Sequence, residues 1–292
     1  MKIIDIIKNK KTISFEFFPP KNENDLPKLY ETVDRLSTYN PDFVSFTYGA
    51  GGNTRQLTLE ASKDTKIANL TEVMTHLTCV AHTKKEINAI LDELNKYKIE
   101  NIIALRGDKP KDEDIKNELI HSTDLISKIK NKSDSFCIAA ACYPELHPET
   151  NDFNEEIKYT KLKQDKGADF LVTQLFFDNK DYFKFVDESL RKGITIPIIA
   201  GILPIVSTSQ IRRITKLCGS KIPDDLNLKL EKFKYNDLET AKLGIEYATK
   251  QVLELIENDV PGIHFYSLNK TKSVGHVLNN LGISTQTPEH II

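Results

Sequence analysis

Glu16 is the lone charge in Ile13-Ser14-Phe15-Glu16-Phe17-Phe18-Pro19-Pro20, a short aromatic strand that stops at two prolines. An ionised carboxylate taken out of water among rings is costly. It either acquires a partner or has its pKa raised toward neutrality, where it can deliver a proton. The competing reading is a carboxylate in solvent, because alternate strand residues face opposite sides and Phe15 and Phe17 would share the other one. From this strand alone both stay open.

Other groups have chemical potential of their own. Only six of the forty basic residues are arginines, yet Arg106 follows an apolar run beside Gly107 and Asp108. A planar guanidinium suits a phosphate or carboxylate, although an Arg106–Asp108 pair that only steadies the loop accounts for the tripeptide as well. Gly49-Ala50-Gly51-Gly52 lies between a strand and a helix, where its backbone can approach a phosphate or simply turn. His76 lies in an apolar strand, where a hydrogen-bonded core histidine is the usual occupant. Tyr143-Pro144-Glu145-Leu146-His147-Pro148-Glu149 is a proline-stiffened loop presenting Tyr, Glu and His. Gln174, next to Phe176-Phe177, offers an amide beside an aromatic face, though a barrel interior also holds such residues for packing.

Several chemistries are weakened by what is missing. None of the expected strands contains the lysine a Schiff-base aldolase needs, and there is no GxSxG elbow. A metal-dependent barrel hydrolase or lyase remains the alternative, since Glu16, His76, Asp108 and His147 could converge. Cys79, Cys137, Cys142 and Cys218 have no CxxC spacing and read as buried free thiols, not a zinc site.

These groups need a scaffold, and the apolar periodicity supplies one. Short apolar runs alternate with amphipathic stretches as repeated strand–helix units. Strands are expected at Ile13–Phe18, Phe43–Tyr48, Val73–Val80, Asn101–Leu105, Phe136–Tyr143, Phe170–Phe177, Pro197–Leu203 and Ile263–Leu268. Helices are expected at Leu26–Leu36, Leu57–Leu70, Lys84–Tyr97, Ile115–Lys130, Asn154–Lys166, Tyr182–Lys192, Ser207–Leu217, Glu239–Asn258 and Val274–Leu281. The pattern predicts an α/β fold, a (β/α)8 TIM barrel with an extra N-terminal helix and a helical insertion, Ile222–Tyr235, before the last strand. A Rossmann-like open sheet lacks its Gly-rich phosphate turn after the first strand. The expected strand ends gather Glu16, Thr47-Tyr48-Gly49, His76, Arg106-Gly107-Asp108, Tyr143, His147, Gln174, Gly201, His264 and Ser267 at one mouth, where barrel enzymes keep their chemistry.

The 292 residues suit one large domain, residues 1–292, and a net charge of −2 with interspersed Lys and Glu leaves no nucleic-acid footprint. No apolar run approaches a membrane span, and the N-terminal Ile3-Ile4-Asp5-Ile6-Ile7 is too short and charged for a signal peptide. A cytoplasmic protein is expected.

Eight segments then carry a likeness: Ser14-Phe15-Glu16-Phe17-Phe18-Pro19-Pro20, Thr47-Tyr48-Gly49-Ala50-Gly51-Gly52, His76-Leu77-Thr78-Cys79, Leu105-Arg106-Gly107-Asp108, Tyr143 to Glu149, Gly167-Ala168-Asp169, Gly201-Ile202-Leu203-Pro204 and His264-Phe265-Tyr266-Ser267-Leu268-Asn269. In this order they resemble the 5,10-methylenetetrahydrofolate reductase family. The resemblance implies FAD across the strand ends of a (β/α)8 barrel, reduced by NADH or NADPH. Hydride then passes to methylenetetrahydrofolate, giving the methyl donor for methionine synthesis, and the protein is expected to be a homo-oligomer. Glu16 would be the acid that opens the folate's five-membered ring, its pKa raised by Phe neighbours, with Asp108 favouring the cationic iminium.

By the same likeness Thr47, Tyr48, Ala50, His76, Arg106, Gly107, Asp108, Tyr143, His147, Glu156 and Lys163 would hold FAD. Glu16, Gln174, Gln210 and Lys270 would meet the substrate. Three positions depart from relatives: Glu156 stands where some have Asp, Lys270 where some have Arg, and Ile214 where an aromatic can stack. The chain ends soon after the barrel, so the C-terminal regulatory domain of eukaryotic relatives, and inhibition by S-adenosylmethionine through it, are not expected.

Overall fold

In the computed structural model, which describes residues 1–48, 52–107, 118–150 and 152–285, apolar strand runs build one parallel sheet. Strands β1 (Thr12–Phe17), β2 (Phe43–Phe46), β3 (Glu72–Thr78), β4 (Asn101–Leu105), β5 (Cys137–Cys142), β6 (Phe170–Thr173), β7 (Ile198–Ile202) and β8 (Gly262–Tyr266) pair in sequence order, and β8 returns to β1. The closed eightfold barrel is therefore the predicted one. Closure pairs Ser14 with His264 and Glu16 with Tyr266. Gly262 permits it, since a Cβ there would lie 2.1 Å from Thr12 Oγ1.

The surrounding helices are α1 (Ile3–Ile7), α2 (Leu26–Ser37), α3 (Gly52–Ile67), α4 (Lys84–Lys96), α5 (Ser122–Lys132), α6 (Phe153–Asp165), α7 (Asn179–Arg191), α8 (Thr208–Cys218), α9 (Asp224–Lys232), α10 (Asp237–Glu257) and α11 (Thr271–Asn280). Local chemistry sets several ends. Thr83 and Glu86 cap α4 reciprocally, and Asp152 and Asp178 accept from the first turns of α6 and α7. Gly219, with φ +80°, ends α8. The expected N-terminal helix is α1, and the expected insertion contains α9.

Two boundaries differ from expectation for visible reasons. The sixth strand stops at Thr173, not Phe177, because the carbonyls of Leu175, Phe176 and Phe177 accept from the side chains of Ser220, Gln251 and Tyr247 instead of a neighbouring strand. Among the described residues helix α5 starts at Ser122, because Asp124 turns back to accept from the N–H groups of Ile120 and His121; residues 115–117 of the expected helix lie outside them.

Strand alternation divides the core. Phe15, Phe17, Val44, Leu77, Ile102 and Ile138 face the helices. Phe43, Met74, Ile103, Cys137, Phe170 and Ile199 fill the barrel interior, and Ile3 and Ile7 of α1 pack beneath them as a floor. Asn101 fastens that floor, accepting from Ile3 N and donating to Met1 O. Cys79, Cys137 and Cys142 are buried free thiols, and Cys218 is a half-buried one.

Candidate active site

Because Phe15 and Phe17 point outward, Glu16 points into the barrel, 6% exposed at the mouth. His76, also 6% exposed, places Nε2 3.3 Å from Glu16 Oε2 without the alignment of a hydrogen bond. His264 lies behind, its Nε2 3.9 Å from the same oxygen. Burial alone would push the Glu16 pKa up, but the two imidazoles outweigh it and hold the carboxyl at about 2. This corrects the expectation of a carboxyl raised by Phe neighbours: those rings lie on the other face of the strand, and the neighbours that matter are cations when protonated.

His264 is a hub that the sequence reading placed at the mouth without giving it a role. It is 1% exposed and stacks on Phe43 with centroids 5.7 Å apart. Ser14 Oγ lies 2.8 Å from its Nδ1, and Ser45 Oγ 3.2 Å from its Nε2. Ser14 can donate to Ile263 O at 3.3 Å and so accept from Nδ1–H, which turns Nε2 toward Ser45 and Glu16. The signal for this hub was the strand period, which puts Ser14, Glu16, Ser45, His76 and His264 on inward positions.

Two clefts meet at the mouth. A cavity of about 630 Å³ is lined by Glu16, Phe18, Tyr143, His147, Gln174, Leu203, Ile214, Leu217, Tyr266 and Leu268. Neither His76 nor His264 reaches this lining, so Glu16 is the member of the cluster presented to a ligand. Gln210 lies beyond it, in a smaller depression with Leu203, Ile214 and Leu268. Lys270 is exposed after β8.

The second cavity, about 310 Å³, runs over the ends of β4 and β5 and is lined by Ala104, Arg106, Ala141, Tyr143, His147, Glu149, Glu156 and Lys163, among others. Arg106 pairs here with Glu149 at 2.5 Å; Asp108, the partner considered from sequence, lies outside the described residues. Lys163 is almost fully buried, donates to Ala141 O at 2.8 Å and stands 5.5 Å over the Tyr143 ring. Desolvation lowers its pKa, opposed by Glu156, whose own pKa burial raises. Glu156 accepts from His147 N–H at 3.2 Å, and the His147 ring meets Tyr143 edge-on at 4.7 Å.

Tyr48 hydrogen-bonds His82 Nε2 at 3.0 Å, and Thr47 N–H extends the ladder to Phe17 O at 2.9 Å. Gly107, with φ +87°, sits close against Thr78, where a Cβ would be 3.0 Å away. Ala50, like Asp108, lies outside the described residues.

These residues suit the flavin that the resemblance implies. Two cations and an apolar wall share one cleft, and His76 Nε2 is buried without an aligned partner. Among the described residues no group of three His, Cys, Asp or Glu side chains is placed to hold a metal ion.

The family profile "Methylenetetrahydrofolate reductase" matches residues 2–282. "Methylenetetrahydrofolate reductase (NADH) 1" of Arabidopsis thaliana is 37% identical over 302 residues, covering 97% of this chain and 51% of the relative. The chain thus spans about half the length of that plant relative. "5,10-methylenetetrahydrofolate reductase" of Salmonella typhimurium is 36% identical, covering 93% of this chain and 90% of the relative. Among solved structures, an uncharacterized protein from Clostridium thermocellum that binds two copies of 5-methyl-5,6,7,8-tetrahydrofolic acid shares the fold, with a TM-score of 0.68 at 14% identity over 95% of this chain and 96% of that one.

Proposed function

The chain belongs to the methylenetetrahydrofolate reductase family, and from that premise we propose that it reduces 5,10-methylenetetrahydrofolate to 5-methyltetrahydrofolate with electrons from NADH or NADPH. FAD would be held by Arg106, Lys163, Tyr143, His147 and Glu156 in the smaller cavity and by Thr47, Tyr48, His76 and Gly107 at the neighbouring strand ends. Once bound and reduced, that flavin supplies a hydride. Ala50 and Asp108 belong to the same proposal on the strength of the sequence likeness alone. The Glu149 carboxylate occupies one nitrogen of the Arg106 guanidinium, and a phosphate there would meet the remaining donors or compete with Glu149.

The chain's own part is the proton. Methylenetetrahydrofolate holds its one-carbon unit between two nitrogens, and this aminal accepts no hydride until one nitrogen is protonated and the ring opens to an iminium. The observation that carries the proposal is that Glu16 alone of the Glu16–His76–His264 cluster lines the larger cavity. With its pKa held low by the two imidazoles behind it, Glu16 rests as a carboxylate. A folate nitrogen arriving at Glu16 receives a proton that the carboxyl group takes up from solvent and passes on. Positioned acid catalysis of this kind supplies on the order of 10²–10⁴-fold. Gln174 and Gln210 would read the pterin and the chain beyond it, and Lys270 would meet a glutamate carboxylate as a point charge without a fork.

We further propose a cytoplasmic homo-oligomer; no helix among the described residues is long and apolar enough to cross a membrane. Purification followed by a visible spectrum and anaerobic mixing tests the whole reading. The expected result is a yellow protein bleached by NADH or NADPH and recoloured by methylenetetrahydrofolate. A colourless protein that FAD cannot reconstitute would overturn it.

A further inference from the structure

We infer that α10 is the common mount for Gln174 and Gln210, setting where the two amides stand at the mouth; this rests on the reading that both meet the folate. Gln174 opens the β6–α7 loop, with its N–H on Cys142 O at 2.7 Å and its side-chain Oε1 accepting from Leu175 N–H at 3.0 Å, which leaves the NH₂ group for a ligand. The next three carbonyls are each held by a different side chain. Ser220 Oγ donates to Leu175 O at 2.6 Å, Gln251 Nε2 to Phe176 O at 3.0 Å, and Tyr247 OH to Phe177 O at 2.7 Å.

Tyr247 and Gln251 are one helical turn apart on α10, so a single face carries both donors. Asn179, in the first turn of α7, continues the seam by donating to Gln251 O at 3.0 Å and Glu254 Oε2 at 2.8 Å. On the same face Gly244 lies so close to the β7–α8 loop that a Cβ would sit 2.0 Å from Ile205 O. Thr240, another turn back, pairs with Thr208 at 3.3 Å, and Thr208 starts the helix that presents Gln210 two residues later. One helix therefore holds the loop behind one glutamine and the helix start beneath the other.

Loops with such fastening cannot rotate their peptide planes independently. Their amides are pre-placed, which spares a ligand the ordering cost that a loose loop would impose. Tyr247, Gln251 and Thr208 are positioning residues in this scheme, since none lines the larger cavity.

The test is the Tyr247→Phe, Gln251→Met double variant, which keeps both volumes and removes both donors. Binding of 5-methyltetrahydrofolate, followed by calorimetric titration of the FAD-loaded protein, should weaken about tenfold, the expectation for two buried acceptors left to drift. KM for methylenetetrahydrofolate should rise in parallel, with kcat within about threefold and FAD content unchanged. Tyr247→Phe alone, the milder change, should weaken binding about threefold by the same arithmetic and serves if the double variant is poorly folded. A lower melting temperature with an unaltered folate Kd would overturn the inference and leave α10 a merely structural helix. A wild-type protein that binds no folate at all would instead overturn the functional reading on which the inference rests.

Discussion

The floor and the mouth of the barrel interior are made by the same strands, one inward position apart, yet their contents are opposite. At the floor Phe43, Met74, Ile103, Cys137, Phe170 and Ile199 close over Ile3 and Ile7 with no charge among them. At the mouth the next inward residues of β1, β2 and β3 are Glu16, Ser45 and His76, with His264 reaching between the layers to stack on Phe43. Each large floor side chain contributes about 1.5–3 kcal/mol of burial. The mouth forgoes that and keeps a carboxylate and two imidazoles out of water at a net cost, which is tolerable because the floor is continuous. Stability and chemistry are thus separated along the barrel axis.

That separation can be broken first at the floor. Phe170→Ala should destabilise the protein by about 3–5 kcal/mol, as for other buried aromatic deletions, and leave the kcat of the folded fraction near wild type. Denaturant unfolding and active-site-normalised turnover measure the two numbers. A large fall in kcat without loss of stability would show that the two ends are not independent.

His264→Gln probes the opposite end. It should slow folate reduction about a hundredfold in the folded protein, within the range of positioned acid catalysis, with FAD content unchanged and a lowered melting temperature, since the stack on Phe43 and the serine contacts go with the ring. Equal slowing of flavin reduction by nicotinamide would place the role of His264 elsewhere than the proton path.

Glu145 offers the smallest effect and shows that the mouth carries a cost. Burial pushes its carboxyl up to about 7, aided by Asp181 and Asp178 and opposed by Lys221, while one of its oxygens is buried without a partner. A folded pKa raised above the unfolded value means that stability falls as pH rises from about 4.5 to about 7 and stays lowered beyond it. Glu145→Gln should therefore raise stability at pH 8 by about 1 kcal/mol or less, given the partial solvation of the side chain, and change little at pH 4. Melting curves at the two pH values check the sign, and an equal change at both would contradict it.

The barrel was legible because its information is local and periodic. Runs such as Asn101–Leu105 and the period of α4 specify their elements directly, and the count of eight follows. The end of β6 was not legible, since it depends on donors from Ser220, Tyr247 and Gln251, up to 75 residues away. Much the same holds within the site. Glu16 stood out because a charge in an aromatic strand breaks the local pattern, whereas the sign of its pKa shift was set by His76 and His264, distant in sequence and close in space. Arg106 stood out as a rare arginine at a strand end, whereas its partner Glu149 is contributed by another loop and could not be read from the tripeptide.

The central claim is that Glu16 hands a proton to the folate and has no part in reducing the flavin. Stopped-flow measurement of both half-reactions on Glu16→Gln tests it most directly. Flavin bleaching by the nicotinamide should keep its wild-type rate, while recolouring by methylenetetrahydrofolate should fall by at least about 10²–10⁴-fold. Recolouring at the wild-type rate, or loss of both half-reactions together, would contradict it.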